Sequence, residues 1–485
     1  MRLYRKEGLN VQIISFPNEE VAKGNYLVVE DRETGRSLIV QVVDIQYANI
    51  PGILEELLRN YNGDSYIKGE DLDPFEVGNH IEFIQDARLL ICKIRASNSD
   101  GVLVSANSWL PSRSRAIVKP FPIEKLLIQV KMHEVYSMHL GETMEKKGLC
   151  VDVRTLDGGL NIITGKKGTG KSHMSKLLTL SMVKHGAPIV VLDLNGEYAG
   201  LGKDVDGKPN EFSGKIHVLT PGKNLQVTLA QLKLGVMLKI LVNALNLPGT
   251  SAREFRRIWS FLQQKDGLSM SNLGEAIKNW KCNQHVRDAL FSRYYTLLSS
   301  RLFTDNSAQA TSLRDALYKA RVGGAVVINL RDISTIGRHI VVEYVLGKLV
   351  ELLTSWKLRA VFLFAEEAHL YLRETYWDDI VTRMRHFGVF TTFITNQPDT
   401  IRENIYSQAD NLFLFNFTNE HDLETISRAS KADAETVKSV VRDLPPFHCL
   451  ALGKVVNDFP VVVRVRQLDV LAMGQTRLFF SERNS

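Results

Sequence analysis

Eight consecutive residues, Gly165-Lys166-Lys167-Gly168-Thr169-Gly170-Lys171-Ser172, fit G-x-x-x-x-G-K-[ST] in full. They follow the apolar run Leu160–Thr164 and precede a helix-like stretch, the context such a loop needs. Gly165, Gly168 and Gly170 let the backbone curl round phosphate oxygens, while its N–H groups and the helix N-terminus supply positive potential. In this reading Lys167, Thr169 and His173 belong to the same cradle. Lys171 reaches the β- and γ-phosphates, and the Ser172 hydroxyl ligates Mg²⁺. The cofactors expected are ATP and Mg²⁺.

A second stretch, VFLFAEEAHLYL, puts Glu366 and Glu367 directly after an apolar strand. An acid there holds the magnesium shell, and its neighbour orients and deprotonates the attacking water. Aspartate is commoner at the first place; the longer Glu366 suits coordination through water. The pair implies hydrolysis rather than passive binding. Further on, VFTTFITNQPDTI reads as a buried strand whose polar tip, Asn396 and Gln397, can sense the γ-phosphate. Arg383 and Arg385, in TRMRHFG, lie on the helix between the acid pair and that strand, where an arginine can complete a neighbouring subunit's site. Asp193, in IVVLDLNGEYAGL, closes a strand expected beside the P-loop strand and is a further candidate metal ligand. The NGEY loop after it suits contact with the nucleotide or with a central channel.

The elements that must position these groups are legible in outline. From about residue 158, the apolar runs LNIIT, PIVVLDL, KIHVL, AVVINL, AVFLFA, VFTTFIT and NLFLFNF alternate with helical patterns. That rhythm predicts an α/β fold, a parallel sheet covered on both faces. Between 228 and 320 only 3.6-residue periodicity is found, so a helical insertion is expected there. Residues 1–120 carry short Val- and Ile-rich runs split by turn residues, predicting a small β-barrel or sandwich, with IPGILEELLRNYNGD as a helical insert. PSRSRAIVKPFP, with three prolines, reads as its exit linker. The expected division is a barrel over 1–120, a linker over 121–157 and an ATPase core over 158–227 and 321–472. The helical insertion over 228–320 and a tail over 473–485 complete it.

At 485 residues the chain exceeds one compact core. A net charge of +6 is compatible with a polyanionic partner without demanding one. Four scattered cysteines, with no CxxC, argue against zinc and disulfide frameworks and for a reducing cytoplasm. No run approaches the ~18 apolar residues of a membrane span, so no membrane association is expected.

Taken together, GKKGTGKS, VVLDLNGEY, VFLFAEEAH, RHFGVFTTFITNQP, YSQADNLFLFNFTNEHDL and LPPFHCLALG resemble the HerA branch of the FtsK/HerA ATPase superfamily. The β-rich N-terminus before a RecA-like core is similar to that family's HAS-barrel arrangement. The resemblance implies a homohexameric ring that moves double-stranded DNA through its channel. It also implies a NurA-like nuclease or a sirtuin-like effector docked on the barrel, in DNA-end resection or phage defence. By motif it assigns Lys171 and Ser172 to phosphate and Mg²⁺, Glu366 and Glu367 to the Walker B pair, and Asn396 to the sensor with Gln397 shifted by one. Arg385 matches the arginine of the family's R-[KH]-[YF]-G segment. Two features depart from the pattern. Gly158-Gly159-Leu160 stands where the family often has a basic residue, the nearest arginine being Arg154, and the sensor reads Asn-Gln. Candidate DNA contacts are the NGEY loop, Lys203, Lys208, Arg253, Arg256 and Arg257. The alternatives are a conjugation- or secretion-class motor and a nucleotide-regulated ring scaffold for an effector enzyme.

Overall fold

The computed structural model describes residues 1–48, 86–99, 102–104, 109–128, 134–371, 380–430, 432–471 and 473. The expected insert around residues 50–64 and nearly all of the expected tail lie outside these. The chain divides into two units. The first gathers Met1–His133, His139–Val151 and Leu414–Arg464; the second holds Glu134–Met138, Asp152–Phe413 and Val465–Ser485.

In the first unit, β1 (Arg2–Glu7), β2 (Asn10–Ser15), β3 (Tyr26–Asp31), β4 (Ser37–Tyr47), β5 (Arg88–Ser99), β6 (Val102–Val104) and β7 (Ala116–Pro120) form one antiparallel sheet. Its order is β1-β2-β5-β4-β3-β7, with β6 on β5. Alternating residues (Val11 and Ile13, Leu27 and Val29, Leu38, Val40 and Val42) turn to one buried face. Bulges in β4 between Ile39 and Val40 and between Val42 and Asp44 add curl. β1 approaches β7 with no ladder joining them, so the sheet is a half-barrel. The expected exit linker holds β7, an edge strand that tolerates Pro120 at its end because its outer side needs no partner.

Residues 121–157, expected as linker, contain two further strands, β8 (Ser137–Thr143) and β9 (Gly148–Asp152). The segment 414–464, expected within the ATPase core, packs in the first unit. Tyr26 Oη and Gln41 Nε2 both donate to the Pro460 carbonyl, at 2.8 Å each. Arg95 bonds Asp433 and Thr436, and Lys93 pairs with Glu435 at 2.6 Å. These pairings join residues more than 300 positions apart, which no local pattern announces.

The second unit is built on β10 (Asn161–Thr164), β11 (Pro188–Asp193), β12 (Ile216–Leu219), β13 (Gly324–Asn329), β14 (Val361–Glu366) and β15 (Val389–Thr395). The order is β12-β13-β11-β14-β15-β10, with every pair of neighbours parallel. β16 (Asn411–Phe415) begins in this unit, while β17 (His448–Gly453) and nearly all of β18 (Val461–Val465) belong to the first. All seven apolar runs read from the sequence coincide with strands, β10 to β16. Apart from the edge strand β12, which is half-buried over residues 216–218, their side chains are mostly buried on both faces, as a sheet covered by helices requires. Between β12 and β13 the chain forms helices at Leu234–Lys239, Gly249–Gln264, Met270–Asn279, Gln284–Ser299 and Leu313–Ala320. Gly249–Gln264 buries Phe255, Ile258, Trp259 and Leu262, one stripe at helical spacing. No described helix is long and apolar enough to cross a membrane.

One expectation about neighbours is corrected. β11, which ends in Asp193, pairs with β13 and β14 and not with the P-loop strand. β10 instead lies beside β15, in register from Asn161 opposite Thr392 to Thr164 opposite Thr395, with β16 on its other side. The tip of β15 therefore stands between the P-loop and the acid pair.

Candidate active site

The P-loop runs from the end of β10 into the helix Lys171–Lys184. Gly168 (φ 82°) and Gly170 (φ 114°) hold left-handed backbone that an L side chain resists, and open space surrounds the point where a Gly168 Cβ would stand. The turn is tied from within: Thr169 Oγ1 donates to the Lys166 carbonyl at 2.8 Å, and Lys171 Nζ to the same oxygen at 3.0 Å. Lys171 is buried, which pulls its ammonium below the ordinary range, while Glu367, Glu197 and Glu366 pull it back up. Lys167 is exposed and Ser172 half-buried at the start of the helix. His173 turns elsewhere, its Nε2 lying 2.7 Å from the Arg466 carbonyl.

The start of β10 is held by Asp410. Its Oδ2 accepts from the Leu160 N–H at 3.0 Å, and its own N–H donates to the Leu160 carbonyl at 2.8 Å. A Cβ on Gly159 would meet Asp410 Cβ at 3.3 Å, and Gly158 has φ 67°. The two glycines thus let the chain turn and pass close to Asp410. Arg385 pairs with the same Asp410 oxygen at 3.3 Å, so it is engaged within its own chain. Arg383 is exposed, its guanidinium 5.8 Å from the centre of the Phe387 ring.

Glu366 and Glu367 differ sharply in surroundings. Glu366 ends β14 and is 2 % exposed, and among the described residues neither carboxylate oxygen has a partner in good hydrogen-bond geometry. Burial pushes it well above the usual carboxylate range, and the carboxylates of Asp193 and Glu197 push the same way. The nearby Tyr198 hydroxyl eases this, but its own short bond, 2.6 Å, is to Ser175 Oγ. Glu367 sits in left-handed backbone (φ 45°, ψ 47°), a strained conformation for a residue with a Cβ. It is pinned there by its N–H to the Ile394 carbonyl at 2.7 Å. The strained turn carries its carboxylate to the tip of β15, where Oε2 accepts from Thr395 Oγ1 at 3.2 Å and from the Asn396 N–H at 3.3 Å. His369 Nδ1 lies 3.7 Å from the same oxygen, and burial holds that imidazole below its ordinary range. The exposed Gln397 closes the turn, its carbonyl accepting from Thr400 Oγ1 at 2.6 Å.

Asp193 is committed to the backbone. Its Oδ1 accepts from the N–H groups of Gly196 and Glu197, and its Oδ2 from that of Tyr198, at 2.8 to 3.0 Å. It therefore shapes the NGEY loop and leaves little for a metal. That loop is mostly buried, with Tyr198 fully so and Asn195 exposed. Its Glu197 pairs with Lys176 at 3.3 Å and acts on Lys171, which places it at the P-loop. Sequence reading named Glu197 only as part of the NGEY loop suited to the nucleotide, and did not single out Ser175, His369 or Tyr371 as site residues. Only the adjacency of His369 and Tyr371 to the acid pair could have signalled them.

The residues present fit a magnesium-bound nucleotide. The loop is open toward phosphate at Gly168, a buried cation stands beside it, and Glu366 offers two buried oxygens that no described residue meets in good hydrogen-bond geometry. Glu366→Gln tests how that carboxylate is tuned. Well below the ordinary carboxyl value of 4.5, folded and unfolded chains are both protonated, and at 4.5 the unfolded group is only half ionised. Above it, the unfolded chain releases a proton that the folded one retains, so native stability falls as pH rises toward the folded value. Nucleotide-free Glu366→Gln should match the parent in thermal unfolding at pH 4.5 and exceed it by about 1–3 kcal/mol at pH 8.

A family model described as the central domain of helicase HerA matches residues 138–349. The DNA double-strand break repair helicase HerA of Saccharolobus solfataricus is 23% identical over 337 residues, a match spanning 64% of this chain and 65% of that relative. Its namesake from Sulfolobus acidocaldarius is 21% identical over 478 residues, 93% of this chain and 90% of that one. Among solved structures, the bacterial conjugative coupling protein TrwB superposes with TM-score 0.53 at 14% identity, covering 71% of this chain and 92% of TrwB. VirB4 of Thermoanaerobacter pseudethanolicus gives 0.51 at 15%, covering 70% and 98%. These structural likenesses extend to the fold.

Proposed function

The chain is a P-loop ATPase of the HerA type, and from that premise we propose that it is a homohexameric motor drawing double-stranded DNA through its ring. A nuclease or other effector docks on the N-terminal unit and acts on the DNA delivered. The relatives' names, which specify double-strand break repair, favour end resection over phage defence.

The observation that carries this reading is the grip of the β15 tip on Glu367. A carboxylate positioned by Thr395 and Asn396 is one whose proton transfer alters the bonds at that tip, so hydrolysis and strand movement share the same atoms. In the ATPase step Lys171 binds the β- and γ-phosphates, Ser172 and Glu366 hold Mg²⁺, and Glu367 takes the proton of the attacking water. Magnesium supplies neutralisation of charge on the transferring phosphoryl group. Arg383 and Arg385 are the arginines that could be offered to a neighbouring subunit, Arg385 being paired with Asp410 within the chain. Lys203, Lys208, Arg253 and Arg256 are exposed and serve as phosphate contacts that read no bases.

Long duplex DNA should stimulate ATP turnover, and the stimulation should fade as salt rises. Native mass measurement should give six copies. Turnover that is flat with and without DNA, partner present or absent, would favour a nucleotide-regulated scaffold instead.

A further inference from the structure

One carboxylate, that of Asp410, holds two parts of the ATPase machinery at once. It stands one residue before β16, the strand on the far side of β10 from β15. Its Oδ2 accepts from the Leu160 N–H at 3.0 Å and its own N–H donates to the Leu160 carbonyl at 2.8 Å, so side chain and main chain both grip the entrance to the P-loop strand. Gly159 allows the approach, since a Cβ there would stand 3.3 Å from Asp410 Cβ. The next residue adds a second hold. Asn411 Nδ2 donates to Asn161 Oδ1 at 2.8 Å and to the Thr155 carbonyl at 3.0 Å. A shift at the start of β10 is therefore carried to Asp410.

The same Oδ2 lies 3.3 Å from Arg385 Nη2. The main chain of Arg385 is fixed where the chain turns into β15, its carbonyl accepting from the Gly388 N–H at 3.0 Å. Its side chain is 37 % exposed, whereas that of Asp410 is 10 % exposed. A long exposed arginine would otherwise sample many rotamers, and a buried, anchored acceptor narrows them. Guanidinium carries five N–H donors in a rigid planar fork, so holding one nitrogen sets the plane and leaves exposed donors for an anion.

We infer that Asp410 is a positioning residue that aims Arg385 at the nucleotide of a neighbouring subunit and ties that aim to the P-loop strand of its own. This rests on the reading of the chain as a ring whose arginines act across subunits. Phosphate binding at one P-loop pulls on β10, the pull reaches Asp410 through Leu160, and the plane of Arg385 turns with it. The nucleotide state of one site thereby sets the charge offered to the next. The plainer role for the pair, neutralising a buried acid, confines the effect of Asp410 to its own subunit.

The test is complementation between full-length variants. Asp410→Asn keeps an oxygen for the Leu160 N–H and removes the charge that holds Arg385. Alone, it should lower kcat about 10- to 100-fold, the cost of a misaimed group, with ATP affinity unchanged. Glu367→Gln alone is inactive but carries an intact Asp410 and Arg385. In rings co-assembled from equal amounts of the two, about a quarter of the interfaces join a sound arginine to a sound site, so turnover should recover to about a quarter of the parent's. Arg385→Ala mixed with Glu367→Gln should recover alike. Recovery with Arg385→Ala but none with Asp410→Asn, or parental kcat in Asp410→Asn alone, overturns the inference and leaves the arginine reading standing. No recovery with Arg385→Ala, or parental turnover in that variant alone, removes the arginine reading and the inference with it. Asp410→Ser, which fits against Gly159 and keeps an acceptor, serves in the same mixture if Asp410→Asn does not fold.

Discussion

Glu367→Gln should bind ATP with unchanged affinity and turn it over about 10²–10⁴-fold more slowly, the range lost when a general base is removed. Glutamine is isosteric, and its amide oxygen can still accept from Thr395 Oγ1 and the Asn396 N–H, the two bonds that orient the native side chain. The strained turn at Glu367 depends on main-chain bonds, from its N–H to the Ile394 carbonyl and from the Leu370 N–H to its own carbonyl, which the substitution leaves in place. What disappears is the capacity to take a proton. Binding of a fluorescent ATP analogue and steady-state turnover, measured on the same preparation, check both halves. Normal turnover would remove Glu367 from the base role. His369 does not rescue the variant, because it contacts the carboxylate and burial lowers its basicity.

Lys171→Ala should lose both properties. The ammonium is buried among Glu366, Glu367 and Glu197, so it is the cation that makes this acidic pocket hospitable to phosphate. A hydrogen bond to a charged group contributes about 1.5–3 kcal/mol, which corresponds to a weakening of ATP affinity by roughly 10- to 100-fold. Turnover should fall further, by at least about 10³-fold, because the same charge meets the transferring phosphoryl group as negative charge shifts off it. The paired outcomes separate the two residues: Glu367→Gln retains ATP without consuming it, and Lys171→Ala retains little. Equal ATP affinity in Lys171→Ala and the parent, by isothermal titration, would contradict the phosphate role.

The contiguous parts of the site were legible because their chemistry is local. Eight residues in a row form a phosphate loop wherever a strand leads into a helix, and two adjacent glutamates at a strand's end need no tertiary information to stand out. The seven apolar runs were equally plain, since a strand buried on both faces must be apolar along its length. Asp193 is ambiguous in sequence because an acid at a strand tip three residues before a glycine serves metal binding and turn capping equally well. Its three backbone hydrogen bonds decide for the turn. The arginines are ambiguous in sequence for a related reason, since a helix-borne guanidinium looks the same whether it meets a neighbour's phosphate or, as Arg385 does, Asp410 of its own chain.

The amino-acid sequence by itself determined the class of fold, the nucleotide grip and the acid pair, all set by spacings of a few residues. Only the tertiary structure decided that β15 lies between β10 and β14, which brings Thr395 and Asn396 to Glu367. It alone showed why Gly158 and Gly159 precede the P-loop strand, where Asp410 closes on the backbone. Each of these depends on a contact between residues brought together by strand order and helix packing. Such contacts leave no periodic trace along the chain, because either partner's side chain would be equally at home beside a different neighbour.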